Sequence, residues 1–379
     1  MEEPKPIDCI LITHGDADHF AGLAEIQKSE TMKEVRKRLF IRPLRVYHNG
    51  IVKRPEKKDG KTLPDAKLLG ATKKIGSDVI LVDLAANLLE VPASEMNRPF
   101  QSWKKVLQEY DRRSKIEFRR LELGDNDAFS FFNDAARNLK IDVLGPVMTQ
   151  KESLRGLKFL GEPPAGPRTG HESLGLGEEE FRGLSASHTI NGHSVVFRLS
   201  YGGFSYLFCG DLNDEASRFL ARAHNAGELN LQSDIFKVPH HGSADFSGAF
   251  IQAVSPIVSV VSSGDESARK EYIHPRATLI GALGKWSRVP EPLVFVDRAG
   301  RVFQRGRLVA LGGLGEGEKA RRLLWLQPHR LRNREDAHRR QTIVHFHRQR
   351  QHHQKGSLRL LARFLRRPGP RPRPPRVTF

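Results

Sequence analysis

A short apolar run near the start of the chain ends in a cluster of side chains typical of metal sites. In "ILITHGDADHFAGL", residues 10–23, the apolar residues predict a buried strand, and His14, Asp16, Asp18 and His19 follow within six positions. A turn after a strand lets such residues converge on one point, and imidazole and carboxylate groups bind zinc and manganese. For one of the Asp residues, capping of the next helix is the alternative. Four residues of ligand type in six positions favour a metal site.

The rest of the body alternates strands with helices, which predicts an α/β fold with a mixed sheet. Tyr201-Gly202-Gly203 predicts the turn of a hairpin in "HSVVFRLSYGGFSYLFCGD". From apolar spacing, helices are predicted at residues 22–40, 102–113, 214–225, 246–253 and 276–286.

The positive charge of the chain is concentrated at its end. Residues 319–379 hold 18 Lys and Arg against 2 Asp and Glu, so they carry +16 of the formal net charge of +18. Residues 318–379 are rich in Arg, His, Gln and Pro, and we expect them to be disordered. They act either as a nucleic-acid-binding arm or as an aberrant extension, and their composition favours the second interpretation. The body is nearly neutral and shows no phosphate-binding stripe.

No apolar run approaches the length that crosses a bilayer, so no membrane association is predicted. The acidic start, "MEEPKPIDC", is unlike a signal peptide, and Cys9 and Cys209 both lie in apolar runs. We therefore expect a cytoplasmic protein whose two cysteines are buried residues without a disulfide. The sequence leaves the oligomeric state open.

Three later segments, "LFCGD", "FKVPHHGS" and "YIHP", again place ligand-type residues after apolar runs. Together with "THGDADH" they resemble the metallo-β-lactamase fold, whose signature is H-x-H-x-D-H, with Asp16 in place of the second His. This substituted form is similar to the hydrolase domain of ComEC-type competence proteins and their stand-alone relatives. The matching segments run in the expected order from residue 7 to about residue 304. The resemblance implies an α/β fold of the four-layer αββα sandwich type.

The resemblance also implies a site for two divalent ions, zinc or manganese. His14 and Asp16 would bind the first ion, Asp18 and His19 the second, and Asp211 would bridge both. Asp16 makes the first site richer in oxygen, which favours a harder ion such as manganese. If Asp211 is considered alone, a helix cap is the simpler interpretation of that residue.

The catalytic assignments come from the same resemblance. His274 would complete the second ion's ligands, and Asp18 would also orient the attacking water. His240, with His241, would ligate, protonate a leaving group or stabilise charge.

The third ligand motif leaves alternatives open. "SASHTINGHSVVF" offers His188, Asn191 and His193 as candidate ligands, of which we rank His188 first. If His188 does not ligate, the first site has few ligands and a single bound ion becomes possible.

A metal-dependent hydrolase is the predicted function, with a phosphodiester of nucleic acid as the leading substrate because competence-type relatives are associated with DNA degradation. Nucleic acid is thus the expected partner, through the site or the basic tail. The fold also supports hydrolysis of another ester, a thioester or a lactam. A truncated, inactive paralogue that acts only as a binding module is the alternative class.

One metallo-β-lactamase-like domain is predicted at residues 1–317, with an insertion at about 55–135 and a Pro/Gly-rich loop at 161–180. A complete domain of this fold usually has two or more strands before its His-Asp motif. We therefore expect the first strands to be missing from this chain.

Overall fold

The computed structural model describes residues 3–163, 175, 181–264, 274–299, 307–309 and 323–325. Most of the predicted loop at 161–180 and nearly all of the tail at 318–379 lie outside the described residues. The α-helices are α1 (Ala17–Phe20), α2 (Gly22–Ser29), α3 (Arg98–Ser114), α4 (Ala186–Gly192), α5 (Asp214–Asn225), α6 (Gly248–Val254) and α7 (Ala277–Trp286). The strands are β1 (Lys5–Ile7), β2 (Ile10–Leu11), β3 (Ile41–Pro43), β4 (Arg45–His48), β5 (Lys57–Lys58), β6 (Lys61–Thr62), β7 (Thr72–Ile75), β8 (Asp78–Leu81), β9 (Glu117–Arg120), β10 (Lys140–Gly145), β11 (Thr149–Lys151), β12 (Leu154–Lys158), β13 (Val196–Tyr201), β14 (Phe204–Phe208), β15 (Ile235–Lys237), β16 (Val258–Gly264), β17 (Leu293–Ala299), β18 (Arg307–Val309) and β19 (Leu323–Trp325).

Two sheets form the centre of the molecule. The larger has six strands in the order β10-β13-β14-β15-β16-β17, antiparallel from β10 to β14 and parallel from β14 to β17. The smaller has three parallel strands in the order β2-β4-β9. The predicted hairpin turn at Gly202 and Gly203 is confirmed, since these residues join β13 to β14.

Neighbouring residues of the central strands point into different cores, which defines four layers. In β4, Val46 packs with α1–α3, whereas Tyr47 lies in a core shared by the two sheets. Just before and in β13, Val195 lies in that shared core, whereas Val196 packs with α5–α7. Side chains alternate across a strand, so the order is helices, small sheet, large sheet, helices. This is the αββα sandwich that the sequence predicts.

A third sheet, of four strands in the order β11-β12-β8-β7, lies beside these layers and shares a separate core with α4. The hairpin β5-β6 is exposed on both strands. Of the predicted insertion at residues 55–135, α3 and β9 belong to the four layers, and β5–β8 lie outside them.

The helix predicted at residues 22–40 is wrong in its length, because α2 ends at Ser29. The Ser29 hydroxyl donates to the Ile26 carbonyl and accepts from the Leu39 amide, which offers the backbone an alternative to further helical turns. Val35, an apolar residue within that predicted span, is 64% exposed.

Cys9 and Cys209 are both free. Cys209 is buried, as predicted, whereas Cys9 is only half-buried. Among the described residues, no helix combines the length and the apolar character that crossing a membrane requires.

Candidate metal centre

The site forms where three strands end. Thr13 and His14 follow β2, and Asp211 follows β14 after two residues. The Val195 amide donates to the Thr13 carbonyl (2.8 Å), and the Asp211 amide donates to the Ser194 hydroxyl (3.0 Å). These bonds bring the ends of a strand from each central sheet together.

Asp18, His19, Asp211 and His241 form the closest cluster, called here the four-residue cluster, with their candidate ligand atoms all within 4.8 Å of one another. Oδ2 of Asp211 lies 3.4 Å from Nε2 of His19 and 3.4 Å from Nε2 of His241. His241 Nε2 is also 3.4 Å from Oδ2 of Asp18. Two atoms that each lie about 2.1 Å from a tetrahedral ion are about 3.4 Å apart, so these separations suit ligands of a shared cation.

Unpaired ring nitrogens provide a second test of whether a cation fits. Nε2 of His14, His19 and His241 is buried and has no hydrogen-bond partner among the described residues. A buried polar atom without a partner is costly, and a cation in the four-residue cluster would satisfy the nitrogens of His19 and His241. His14 Nε2 lies 3.9 Å from Oδ2 of Asp211, beside the four-residue cluster. The residues present therefore fit a divalent metal.

The opposite ring nitrogens of two of these histidines are held by the protein. Nδ1 of His241 lies 2.9 Å from the Ser262 carbonyl, to which it can only donate, so Nε2 of the neutral ring carries the free lone pair. Nδ1 of His14 lies 3.1 Å from the Thr13 hydroxyl. Such bonds fix ring orientation in metal sites.

The charges of the site favour a cation. Burial raises the pKa of Asp211, but His19, His241 and His14 outweigh it and hold this pKa below its usual range. The neighbouring His241 lowers the pKa of Asp18. The two carboxylates raise the pKa of His241 to about 10, whereas burial and His19 lower that of His14 to about 3. A proton on His241 therefore occupies the place that a metal ion would take, and metal binding would release it.

Asp16 lies next to the four-residue cluster but outside it. Burial and the charge of Asp18 raise the pKa of Asp16, and the charge of Lys53 opposes them. Asp16 is at the N-cap position of α1, yet its side chain makes no capping hydrogen bond. The capping alternative for this residue is therefore excluded.

His240 and His274 also lie outside the four-residue cluster, with ring centroids 6.3 Å apart. Nδ1 of each is buried without a hydrogen-bond partner among the described residues. Burial lowers the pKa of His274 to about 4.

The turn at His240–Gly242 carries backbone strain. His240 and His241 have φ values of 50° and 51°, in the left-handed region that residues other than glycine rarely adopt. The His240 amide donates to the Gly210 carbonyl (3.2 Å) and the Gly242 carbonyl accepts from the Arg276 amide (2.8 Å). Strain of this kind persists where the surroundings enforce it, and it concentrates at functional sites.

The candidates of the third motif make bonds of their own. Both ring nitrogens of His188 are 2.9 Å from protein atoms, Nδ1 from Asn213 and Nε2 from Asp245. His193 Nε2 donates to the Lys158 carbonyl (2.7 Å), and burial lowers the pKa of His193 to about 4. Asn191 has a buried side-chain oxygen without a hydrogen-bond partner among the described residues. None of the three belongs to the four-residue cluster, and the ligand role of His188 stays a prediction.

The helix-cap interpretation of Asp211 is excluded, because Asn213 is the N-cap of α5 and accepts from the Ala216 amide. Sequence reasoning missed Ser194, Asn213 and Asp245, which support the site from outside. Asp245 lies two residues after the end of the "VPHHGS" segment, and that proximity is the one signal in the sequence that points to it. Burial raises the pKa of Asp245, but the hydrogen bond from His188 outweighs it and leaves this pKa below its usual range.

Comparison with known proteins gives three matches, and each covers about a quarter of the chain or less. The family model of the Metallo-beta-lactamase superfamily matches residues 2–91. Competence protein ComA of Neisseria gonorrhoeae is 40% identical over 86 residues, which are 22% of this chain and 12% of that protein. ComE operon protein 3 of Bacillus subtilis (strain 168) is 31% identical over 98 residues, 26% of this chain and 12% of that protein. The chain thus covers about an eighth of the length of each of these relatives.

Proposed function

We propose that this chain, which contains a metallo-β-lactamase superfamily domain, is a metal-dependent hydrolase that acts on phosphodiester bonds of nucleic acid. The observation that carries the proposal is the set of three unpaired, buried Nε2 atoms around the carboxylate of Asp211. A domain of this superfamily and a cation-ready cluster at its strand ends together support metal-dependent hydrolysis.

The four-residue cluster would hold a first ion, with His14 beside it. Asp16 and His274 are the further donors that we propose for a two-ion site. Each lies outside the four-residue cluster, and Asp16 senses the charges of Asp18 and Asp211, whereas His274 senses those of His241 and Asp211. Imidazole and carboxylate donors suit zinc and manganese, and the large share of carboxylate favours manganese. A bound divalent ion would supply Lewis acidity and a lowered pKa of water.

The side chains of the chain would divide the remaining work. Asp211 is buried and would neutralise positive charge in the centre, whereas Asp18 is 64% exposed at its side chain and so can contact solvent. We assign Asp18 to the orientation of the attacking water. His240 would give a proton to the leaving oxygen, and His241 would remain at its ligand position.

A polyanionic substrate is supported by a group of exposed lysines. Lys57, Lys58 and Lys61 lie on the β5-β6 hairpin, all exposed and without an ion-pair partner among the described residues. Lys53, shortly before this hairpin, acts on the charge of Asp16. The Neisseria relative is named as a competence protein, which adds weight to a nucleic-acid substrate.

Metal content and a substrate screen test the proposal. The full chain, reconstituted with zinc or manganese and dialysed, is expected to retain about one to two equivalents of metal. Asp18→Ala and Asp211→Ala should lower this content, and Asp234→Ala, at the amino end of β15, is the control that should keep it. The screen offers a phosphodiester reporter, a thioester and a β-lactam. A folded protein that binds neither ion, or one that cleaves only the thioester or the lactam, would contradict the proposal.

A further inference from the structure

Asp245 is a largely buried carboxylate that contacts three parts of the chain. Its side chain is 15% exposed. Oδ2 lies 2.9 Å from Nε2 of His188 on α4, and Oδ1 accepts from the Asp214 amide at the start of α5 (3.2 Å). A buried carboxylate with both oxygens engaged is held in one orientation.

The partners of His188 assign its tautomer. Asn213 uses its side-chain oxygen to accept from the Ala216 amide, so its Nδ2 faces His188 and donates to Nδ1 (2.9 Å). The proton of the neutral His188 ring is therefore on Nε2, where it is donated to Asp245. No lone pair of His188 is then left for a metal ion.

The same oxygen of Asp245 faces His240. Oδ2 lies 3.9 Å from Nδ1 of His240, and that nitrogen is buried without a hydrogen-bond partner among the described residues. The side chain of His240 is 26% exposed, and because Nδ1 is buried, the opposite edge with Nε2 is the accessible one. Catalytic hydrogen bonds are often long before substrate binds and tighten in the complex, so a separation of 3.9 Å is compatible with a hydrogen bond in the bound state.

We propose that Asp245 is a positioning residue that fixes His188 as a structural support and holds the Nδ1–H of His240, so that Nε2 of His240 faces the leaving group. This inference rests on the proposed hydrolase function. In the reaction, water oxygen forms the new bond to phosphorus and the bond from phosphorus to the leaving oxygen breaks. His240, with a proton on each ring nitrogen, gives its Nε2 proton to the leaving oxygen and is left as the Nδ1–H tautomer; one water proton goes to solvent, and Nε2 regains its proton from solvent. The products are a phosphomonoester and an alcohol.

Two substrates whose leaving groups differ in basicity can show whether Asp245 positions His240 for proton transfer or only stabilises the fold. Asp245→Asn is compared with the wild-type protein and with Asp234→Asn, a matched change at a carboxylate that accepts from Ser205 at the far end of β15. All three are loaded with zinc and assayed on bis(4-nitrophenyl) phosphate, whose leaving group needs no proton, and on a dinucleotide, whose leaving group does. We expect Asp245→Asn to lose about 100-fold or more on the dinucleotide but only a few-fold on the nitrophenyl ester, with unchanged zinc content. Equal losses on both substrates would overturn the proposal.

A measurement independent of activity uses histidine labelled with ¹⁵N in the zinc-loaded full chain. His240 is assigned through His240→Gln, and its Nδ1–H tautomer is expected in the wild-type protein and in Asp234→Asn but not in Asp245→Asn. An unchanged tautomer in Asp245→Asn would refute the proposal even if the wild-type protein cleaves neither substrate. If the wild-type protein cleaves neither substrate, the hydrolase proposal fails, and the tautomer of His240 still decides the role of Asp245.

Discussion

Nε2 of His241 lies 3.4 Å from Oδ2 of Asp211, and the two residues follow neighbouring parallel strands, β14 and β15. Parallel strands end at the same edge of a sheet, and there the side chains that follow them can meet. His19 approaches the same oxygen from α1, on the other side of the sandwich. The candidate metal centre is therefore built by both halves of the fold.

Substitution of single histidines should distinguish metal ligands from histidines that only stabilise the surrounding structure. His241→Ala removes an unpaired nitrogen of the four-residue cluster and is expected to weaken zinc binding by more than about 100-fold, the upper range for changes outside the first ligand shell. His188→Ala should keep zinc but leave Asp245 buried without its partner, at a cost of about 2–3 kcal/mol in the free energy of unfolding. Zinc titration and urea unfolding measure both effects. Loss of zinc in His188→Ala at unchanged stability would instead support the predicted ligand role of His188.

Gly210 is expected to be essential for the position of Asp211. It has φ of 53°, and a Cβ there would lie 2.7 Å from the Ser194 hydroxyl and 2.9 Å from Cβ of Thr13. Gly202 is the matched control, with φ of 59° and open surroundings. Each change to Ala costs about 1–2 kcal/mol of backbone strain, and Gly210→Ala should in addition weaken zinc binding. Equal stability and equal zinc affinity of the two variants would contradict this expectation.

The lysines of the β5-β6 hairpin are expected to bind phosphates. Lys57, Lys58 and Lys61 changed together to Gln should reduce the slope of log Kd for a short DNA against log salt by about three, one for each lost phosphate contact. The control changes three exposed lysines elsewhere to Gln and so removes equal charge: Lys5, Lys33 and Lys105. If both triple variants bind DNA alike, the hairpin is not the contact.

Acid should destabilise the protein through His48. Burial lowers the pKa of His48 to about 4, below its ordinary value of 6.5. Between these values the unfolded chain binds more protons than the folded one, so the free energy of unfolding falls as pH falls, by up to about 1.4 kcal/mol per pH unit. His48→Asn keeps an acceptor for the Gly50 amide and should narrow the gap between urea midpoints at pH 7 and pH 5 in metal-free protein. An unchanged gap would show that His48 does not titrate in this way.

Local signals explain which elements could be predicted from the sequence. Helix α5 begins and ends as predicted, at residues 214–225, because the segment is amphipathic; its N-cap, Asn213, was not predicted. The helix predicted at 22–40 is too long because apolar spacing does not reveal the hydroxyl of Ser29 as a competing partner for the backbone.

In the candidate metal centre, too, some residues could be predicted from the sequence and others could not. The motif "THGDADH" and Asp211 were identified from the strand ends that precede them, and three of these residues lie in the four-residue cluster: Asp18, His19 and Asp211. Spacing could not distinguish His241 from His240, because the left-handed turn decides which ring enters the cluster. It also could not rank His188 against its neighbours, since Asn213 and Asp245 reach it only in the folded chain.

The bond from the Asp211 amide to the Ser194 hydroxyl has a consequence for metal exchange. Asp211 is held by its own backbone, and His241 by the Ser262 carbonyl, so the donors keep their spacing without help from an ion. Binding then requires little ordering of the chain, and an ion can leave and return while the protein stays folded. We expect the speed of exchange to depend on passage beside the exposed carboxylate of Asp18, and the choice of ion to depend on a spacing set in advance by the sandwich.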